Sequence, residues 1–238
     1  MEGRLVGAAA LSKPESAIFP ALTRSRPKWL VAASGKGGTT KTTTSLNLAT
    51  VAAASGLVVG LLDTDEQRTL TKWHVRRSQV GFDLPSIHIF SVPLVDIGRG
   101  LREVDDTEGL DLVIVDTPPG LEQQSKIRTL LARADFVLVP TTQSTADTDS
   151  AIEFMLVVAA LKVKAAFLLS RTNPRWGSHR TAKRLLNRVA RLCPVDIRQL
   201  RDIEATHDHG LGVNEFGGAK GADDVEAVWD YVRKELGL

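Results

Sequence analysis

The chain has 238 residues, of which 43% are hydrophobic and 24% are charged, and its formal net charge is +2. This length and composition are typical of one globular domain with a sizeable core, and the small net charge means that any affinity for nucleic acid must come from a local patch. The single cysteine, Cys193, excludes an internal disulfide framework and any metal or cluster site built from the cysteines of this chain alone.

We expect no targeting or membrane signal in the N-terminal residues. No apolar run reaches the roughly 18–20 residues that a membrane-spanning helix needs. The short run LVGAAAL, residues 5–11, has only Arg4 as a positive flank, so it does not fit a secretory signal. We predict a disordered tail over residues 1–27, one domain over 28–238, and a cytoplasmic location.

Apolar stretches with strand character alternate with helix-like segments along the rest of the chain. Because these stretches are apolar throughout, rather than at every second residue, both faces of each strand should be covered. This order predicts an α/β fold with a doubly wound, mostly parallel sheet and helices on both faces, in which ligands bind beyond the carboxyl ends of the strands. The predicted strands are 29–34, 57–62, 87–92, 111–115, 136–139 and 165–169, and predicted helices include 41–55, 122–133 and 147–162.

A glycine-rich loop, GKGGTTKTT at residues 35–43, follows the first predicted strand and precedes a helix. Glycines let backbone N–H groups turn toward phosphate oxygens, and the helix N-terminus adds a positive dipole end. Lys41 is expected to reach the β- and γ-phosphates, and the Thr42 hydroxyl to bind Mg²⁺. A glycine-rich loop without function is the alternative, which the strand-to-helix context disfavours. The other expected nucleotide-binding positions of the loop are Gly35, Gly37, Gly38, Thr39, Thr40 and Thr43.

Carboxylates follow two further predicted strands, in DTDEQ at residues 63–67 and in DTPPG at 116–120. Magnesium and an attacking water both need oxygen ligands near the terminal phosphate. Asp116, at the end of an apolar strand, fits the carboxylate that holds Mg²⁺ in phosphate-loop enzymes. The alternatives are that the aspartates after the second strand only cap the next helix, and that Pro-Pro-Gly is only a turn.

The loop KGGTTKT resembles the deviant Walker A motif of the ParA/MinD family, KGG-x-x-K-T, and DTDEQ and DTPPG are similar to the two switch segments of that family. The resemblance covers about residues 28–237, and the short partition ATPases of the ParA type are the most similar. It implies a phosphate-loop ATPase with ATP and Mg²⁺ as cofactors and slow intrinsic turnover. The family tolerates a residue other than glycine at Thr40, and its early lysine, here Lys36, reaches the phosphates of the partner in an ATP-sandwiched homodimer.

The resemblance also implies roles for individual side chains. Lys36, Lys41 and Asp65 would be catalytic, with Asp65 orienting the attacking water, while Asp63 would support the magnesium shell formed with Thr42 and Asp116. Arg171 stands where the family has Asn-Arg, with Ser170 replacing the asparagine. Lys220 lies in GVNEFGGAKGADDVEAV, which resembles the tail of the short partition ATPases, so both Arg171 and Lys220 are assigned to the nucleotide site.

Residues 178–192, SHRTAKRLLNRVARL, predict one amphipathic helix with a basic face that carries no acid. A cationic stripe of this kind suits phosphate backbones and does not read bases. A solvated basic face is the alternative; the family resemblance favours non-specific DNA binding. The stripe consists of Arg180, Lys183, Arg184, Arg188 and Arg191, and Arg198 and Arg201 extend it.

Two other features are interpreted as carrying no site. The polar residues of the C-terminal helix are mainly acidic, which disfavours a membrane partner. His207 and His209 are two residues apart and would point to different sides of a helix, which disfavours a metal site.

The resemblance implies an ATPase for DNA segregation or cargo positioning. It would dimerise around ATP, bind DNA non-specifically at the nucleoid, and be released when a ParB-like or small centromere-binding adaptor stimulates hydrolysis. Two alternatives stay open: a nucleotide-gated accessory protein that recruits factors in DNA transfer, and a metabolic ATP-dependent ligase or synthetase of the same fold.

Overall fold

The computed structural model describes residues 26–120 and 123–238. Six strands form one sheet in the order β3-β2-β4-β1-β5-β6, and every neighbouring pair is parallel. Each of the six predicted strands is confirmed, with ends that agree within two residues. The strands are β1 (Lys28–Ala32), β2 (Val59–Asp63), β3 (Ile87–Ser91), β4 (Leu112–Asp116), β5 (Phe136–Thr141) and β6 (Ala165–Leu169).

Eight α-helices cover the two faces of this sheet in the described part of the chain. One layer contains α1, α2, α7 and α8, and the other contains α3, α4, α5 and α6. The predicted doubly wound α/β class is thereby confirmed. The helices are α1 (Lys41–Ala54), α2 (Thr69–Arg77), α3 (Ile97–Asp105), α4 (Gln124–Arg133), α5 (Thr145–Ala160), α6 (Gly177–Leu186), α7 (Arg201–His209) and α8 (Ala222–Leu236), with 3₁₀ turns at Leu94–Asp96 and Val213–Glu215.

The central strand β1 shows why the strands are apolar at every position. Leu30 packs into the core on the α1 and α8 side of the sheet, whereas Trp29 and Val31 pack into the core on the α4 and α5 side. All three side chains are fully buried. A strand with a helix layer on each face has no solvent-facing side, so it needs apolar residues throughout.

The predicted amphipathic helix over 178–192 is wrong in its second half, because α6 ends at Leu186. After a turn, the chain runs beside β6, where the Phe167 N–H donates to the Arg191 carbonyl at 2.9 Å and the Cys193 N–H donates to the Phe167 carbonyl at 2.8 Å. These bonds satisfy backbone groups that the outer edge of β6 would otherwise leave unpaired. Val189, in this second half, is 40% exposed.

The carboxyl ends of β2, β4 and β1 are neighbours in the sheet and are tied together by threonines. The Thr64 hydroxyl donates to the Asp116 carbonyl at 2.8 Å, and the Thr117 hydroxyl donates to the Ala32 carbonyl at 3.0 Å. The three motifs found along the sequence therefore meet at one edge, close to where the strand order reverses on either side of β1. No helix within residues 26–120 and 123–238 is long and apolar enough to cross a membrane.

Candidate functional site

The glycine-rich loop between β1 and α1 forms one wall of an open cavity of about 550 Å³ at the carboxyl edge of the sheet. Lys41 is the first residue of α1, and its Nζ donates to Ser34 Oγ at 3.3 Å and to the Lys36 carbonyl at 3.2 Å. Burial lowers the pKa of Lys41, and the charges of Asp116 and Asp65 oppose that shift. The cavity is lined by Gly37, Gly38, Thr39, Thr40, Lys41, Thr42, Thr43, Asp65, Pro119, Arg171 and Glu204.

Thr40 keeps the backbone conformation that glycine usually provides at this point of a phosphate loop. Its φ is 70° and its ψ is 18°, which is the left-handed region, and its hydroxyl is buried without a hydrogen-bond partner among the described residues. A β-branched residue in this region carries strain on the order of 1–2 kcal/mol. Thr40 therefore adopts the backbone conformation that the turn into α1 requires, although it is not a glycine.

Gly35 differs from the other glycines of the loop because it does not line the cavity. A Cβ at this position would lie 3.0 Å from Ser150 Oγ and 3.4 Å from the Ser150 carbonyl oxygen. Gly35 thus allows the loop to approach α5 closely, and we assign its role to packing of the loop rather than to a direct contact with a nucleotide.

Asp116 and Thr42 lie together as the sequence predicts. The Thr42 hydroxyl donates to Asp116 Oδ2 at 2.6 Å, while Asp116 Oδ1 is buried without a hydrogen-bond partner among the described residues. Burial raises the pKa of Asp116 to about 7, although the hydrogen bond from Thr42 opposes this shift. A buried carboxylate oxygen without a partner, next to a threonine hydroxyl, fits the oxygen ligands that Mg²⁺ prefers.

Asp63, predicted to support the magnesium shell, lies opposite Asp116 in the register of β2 and β4. Its Oδ2 accepts hydrogen bonds from the backbone N–H and the hydroxyl of Thr71, at 2.8 and 2.7 Å, and its Oδ1 accepts one from the Asp65 N–H at 3.2 Å. Burial raises the pKa of Asp63, against the effect of these hydrogen bonds. Asp63 does not line the cavity, and its contacts hold Asp65 and the first turn of α2. Its support of the magnesium shell stays a prediction.

Lys36 lies outside the cavity that contains Lys41. Its Nζ donates to Asp147 Oδ1 at 2.6 Å, and the other oxygen of Asp147 accepts a hydrogen bond from the Thr142 hydroxyl, also at 2.6 Å. Burial alone raises the pKa of Asp147, but the hydrogen bonds from Lys36, Thr142 and Ser144 outweigh it, so this pKa lies below its ordinary value. Asp147 was not found from the sequence, where Ser144 and Asp147 only indicate the start of a helix.

A second, smaller cavity of about 40 Å³ adjoins the loop between α1, the end of β6 and α7. Its apolar residues Ile197, Leu200, Ile203 and Val225 were not predicted, since they come from segments that are distant in sequence. Arg171, with φ of 51°, lines both cavities, and its Nε lies 3.8 Å from Glu204 Oε1.

The predicted nucleotide contact of Lys220 stays a prediction. Lys220 is exposed and lines neither of these two cavities. Its backbone N–H donates to Asp202 Oδ2 at 2.8 Å, which holds the segment before α8 against α7.

The predicted basic stripe is divided by ion pairs. Lys183 contacts Asp196 at 2.9 Å, and the same carboxylate oxygen lies 2.6 Å from the ring of the buried His179. Arg191 pairs with Glu235, and Arg198 pairs with Asp224 at 2.8 Å. The expectation of a face without acids is therefore wrong for Lys183, Arg191 and Arg198.

Four of the predicted basic residues keep exposed side chains. Arg180 and Arg184 lie on α6, Arg188 lies in the turn after it, and Arg201 begins α7. None of them forms an ion pair with another described residue. Arg26, in the predicted tail, pairs with Asp135 at 2.8 Å; the rest of the tail up to residue 25 lies outside the described residues.

Comparisons with known proteins agree with this geometry. A family model described as VirC1 protein matches residues 28–203. The chain is 32% identical over 216 residues to the maintenance of carboxysome distribution protein A of Gloeobacter kilaueensis, covering 89% of this chain and 95% of that protein. It is also 32% identical over 142 residues to the chromosome-partitioning ATPase Soj of Thermus thermophilus, covering 50% of this chain and 56% of Soj.

The fold is shared with a solved structure of Cyanothece McdA in complex with ATP. The TM-score is 0.67 at 22% sequence identity, and the match covers 90% of this chain and 98% of that one.

Proposed function

We propose that this chain, which belongs to the VirC1 family of ParA/MinD-type ATPases, is a positioning ATPase that carries a cargo over DNA. ATP and Mg²⁺ would drive formation of a sandwich homodimer, and the dimer would bind DNA without sequence preference. Hydrolysis, stimulated by a ParB-like or small centromere-binding adaptor, would release the protein from DNA. The protein would then act in the cytoplasm, in association with the nucleoid.

The observation that carries this proposal is the separation of the two lysines of the loop. Lys41 lies in the cavity, whereas the half-exposed Lys36 lies outside it, on Asp147. A cation that does not face its own phosphate site can serve a second protomer by exchanging its ion pair with Asp147 for the phosphates of that protomer. There it would stabilise charge on the transferred phosphoryl group, as an arginine finger does.

Within one protomer, we assign the chemistry to a small set of side chains. Magnesium, held by Thr42 and Asp116, would neutralise negative charge on the phosphates. Lys41 would bind the β- and γ-phosphates, and the loop from Gly37 to Thr43 would present its backbone N–H groups to them. Asp65 lines the cavity, and its Oδ1 accepts a hydrogen bond from the Gln67 N–H at 2.9 Å, which orients it to accept a hydrogen bond from the attacking water.

We assign DNA binding first to the exposed and unpaired arginines. Arg180 and Arg184 are one helical turn apart on α6, and Arg188 follows in the turn after this helix. Arg201 begins α7, which belongs to the other helix layer. Lys183 and Arg191 would contribute less, because their acidic partners already neutralise part of their charge. Contacts of this kind bind phosphates and give affinity that falls steeply with salt.

The proposal is tested by binding of the protein to a random-sequence DNA duplex with ATP, ADP or no nucleotide, at about 50 and 200 mM salt. Wild-type protein should bind with ATP and lose affinity at the higher salt. Lys36→Ala should lose the binding that ATP promotes, and Arg180→Glu with Arg184→Glu should lose binding. Arg233→Glu with Lys234→Glu, at the end of α8, reverses the same charge on a helix of the opposite layer and should bind like wild type.

Binding that ignores the nucleotide, or no binding, would contradict the proposal. Turnover that depends on a small molecule and persists in Lys36→Ala would then favour a metabolic ligase or synthetase. Asp65→Ala distinguishes the remaining alternative. An ATPase that must hydrolyse ATP should stay on DNA in this variant and lose its positioning function. A nucleotide-gated accessory protein should still recruit its factors.

A further inference from the structure

Trp176 is exposed in a protein that buries its other tryptophans. The chain has four tryptophans; Trp29 and Trp73 are fully buried and Trp229 is 2% exposed, whereas Trp176 is 57% exposed. Indole is a large apolar group that usually packs in a core or an interface. An exposed indole therefore requires an explanation beyond the stability of the fold.

Hydrogen bonds hold Trp176 on a fixed turn between β6 and α6. Its backbone N–H donates to the Asn173 carbonyl at 3.1 Å, and its own carbonyl accepts from the His179 N–H at 3.1 Å. Gln143, just beyond β5, accepts from the Asn173 N–H at 2.9 Å through its side-chain oxygen and donates to Ser178 Oγ at 3.1 Å. The backbone that carries Trp176 is thus fixed by the end of β5 and by the start of α6.

Exposed arginines flank Trp176 along the chain and along α6. Arg180 and Arg184 follow Trp176 at intervals of four residues, so the three positions lie along one side of the helix, while Ala182 and Leu186 face the core. Arg175 precedes Trp176 directly and is exposed. No ion pair involves these three arginines in the part of the chain that the structure describes.

The sequence around this surface contains no acid to balance the arginines. Neither Asp nor Glu occurs between Glu153 and Asp196, and Asp196 itself is bound to His179 and Lys183. An exposed aromatic ring flanked by unpaired guanidinium groups combines the two elements that bind single-stranded nucleic acid: a stacking surface for a base and cations for the phosphates.

We propose that Trp176 is a stacking site for an unpaired base of single-stranded DNA, with Arg175, Arg180 and Arg184 binding the flanking phosphates. The inference rests on the proposed DNA binding and adds a preference within it. Duplex DNA hides the faces of its bases, so it engages the arginines only. A strand end, bubble or displaced single strand also engages the indole.

The test uses the fluorescence of the full chain, because Trp176 is the one exposed tryptophan. We titrate wild-type protein in the presence of ATP with an oligothymidylate of about 15 nucleotides, near the upper site size of single-strand binding folds. A matched phosphodiester chain without bases supplies the phosphates alone, and a random duplex serves as the third probe. Stacking should quench tryptophan fluorescence with the oligothymidylate and leave it nearly unchanged with the chain that lacks bases.

Three variants test the role of the ring, and their affinities are measured by the anisotropy of a labelled oligonucleotide because two of them lack the reporter indole. Trp176→Ala should weaken oligothymidylate binding by roughly 5- to 150-fold, the range that corresponds to one stacked base, and should leave duplex binding unchanged. Trp176→Phe should restore most of the affinity, since the aromatic face remains. Phe82→Ala removes another aromatic side chain that is also 57% exposed and should have no effect, which controls for the loss of exposed apolar surface.

The possible outcomes distinguish this inference from the function on which it rests. If Trp176→Ala binds the oligothymidylate like wild type, or loses duplex and single-strand binding equally, base stacking is wrong and DNA binding stands. If wild-type protein binds neither duplex nor single strand, the proposed DNA binding fails and the stacking site fails with it. Quenching that is equal with and without bases also overturns the inference.

Discussion

Asp147 is the residue whose role is most visible in the structure and least visible in the sequence. Asp147 lies at the start of α5, where it accepts a hydrogen bond from Lys36, and its side chain is only 15% exposed. The loop after β1 and the start of α5 meet because β1 and β5 are neighbours in the sheet, a pairing that no local pattern encodes. Lys41, Thr42 and Asp116 were predictable because a phosphate loop and a strand-ending carboxylate each have a local signature.

We expect Asp147→Asn to weaken the hold on Lys36 and to lower the free energy of unfolding by about 1 kcal/mol at pH 7. The pKa of Asp147 is depressed in the folded protein. Its contribution is therefore present above the unfolded pKa and is lost as the pH falls through the folded value. Urea unfolding of wild type and variant should differ at pH 7 and converge as the pH falls below about 4.

Asp149→Asn is the matched control for this experiment, because Asp149 is an exposed carboxylate on the same helix without an ion pair among the described residues. It should unfold like wild type at both pH values. A difference between Asp147→Asn and wild type that stays constant from pH 7 to pH 3 would show that the carboxylate charge is not responsible.

At the scale of elements, a buried ion pair links α2 to the 3₁₀ turn at Val213–Glu215. Arg77 and Glu215 form two hydrogen bonds of 2.6 and 2.7 Å, and their side chains are only 5% and 7% exposed. Helix α2 also carries Thr71, which holds Asp63. This pair therefore stabilises the helix on which the aspartates after β2 are anchored.

We expect Glu215→Gln to lower the free energy of unfolding by about 3–5 kcal/mol, since it leaves the Arg77 guanidinium buried without a carboxylate. The double change Arg77→Met with Glu215→Leu should recover much of this loss, because two apolar side chains remove the uncompensated charge. Urea unfolding of wild type, single and double variants at one pH measures both effects. A double variant that is less stable than Glu215→Gln would contradict the assignment of the loss to a buried, unpaired charge.

The six strands and the site-bearing loops were predictable from sequence, whereas the end of α6 was not. The spacing of leucines and arginines in 178–192 fits a helix throughout, but the open edge of β6 takes the backbone of residues 191–197 as an additional partner. Tertiary hydrogen bonding outweighs local periodicity there. Lys183 pairs with Asp196 in this segment, and Arg191 and Arg198 pair with acidic residues of α8. The spacing of the arginines in the sequence predicts neither the path of the segment nor these partners.

At the scale of the whole molecule, strands β2, β4 and β1 bring Asp65, Asp116 and Lys41 to a single edge from segments that are far apart in sequence. A ligand that contacts all three segments should stabilise the entire fold, because unfolding of any segment destroys the site. At a concentration 100 times its Kd, such a ligand adds about 2.7 kcal/mol to the free energy of unfolding. For a chain of this size, the Tm should rise by roughly 5–10 °C.

We expect Mg²⁺-ATP to produce this shift in wild-type protein and Lys41→Ala to abolish it, since Lys41 lies in the cavity. Lys36→Ala separates nucleotide binding from dimer formation. The variant should keep the shift with Mg²⁺-ADP, because Lys36 lies outside its own cavity, but it should lose the additional shift with Mg²⁺-ATP. That additional shift should increase with protein concentration in wild type, as expected when ligand binding is linked to dimerisation.

Thermal unfolding at two protein concentrations, with Mg²⁺-ADP and Mg²⁺-ATP, therefore tests whether the site is complete in one protomer. If Lys36→Ala retains a concentration-dependent ATP shift, Lys36 does not act on a partner, and its ion pair with Asp147 is only structural. If the variant loses the shift with both nucleotides, Lys36 belongs to its own nucleotide site despite its position outside the cavity. Only loss of the ATP-specific part agrees with one lysine for each protomer's own nucleotide and one for its neighbour's.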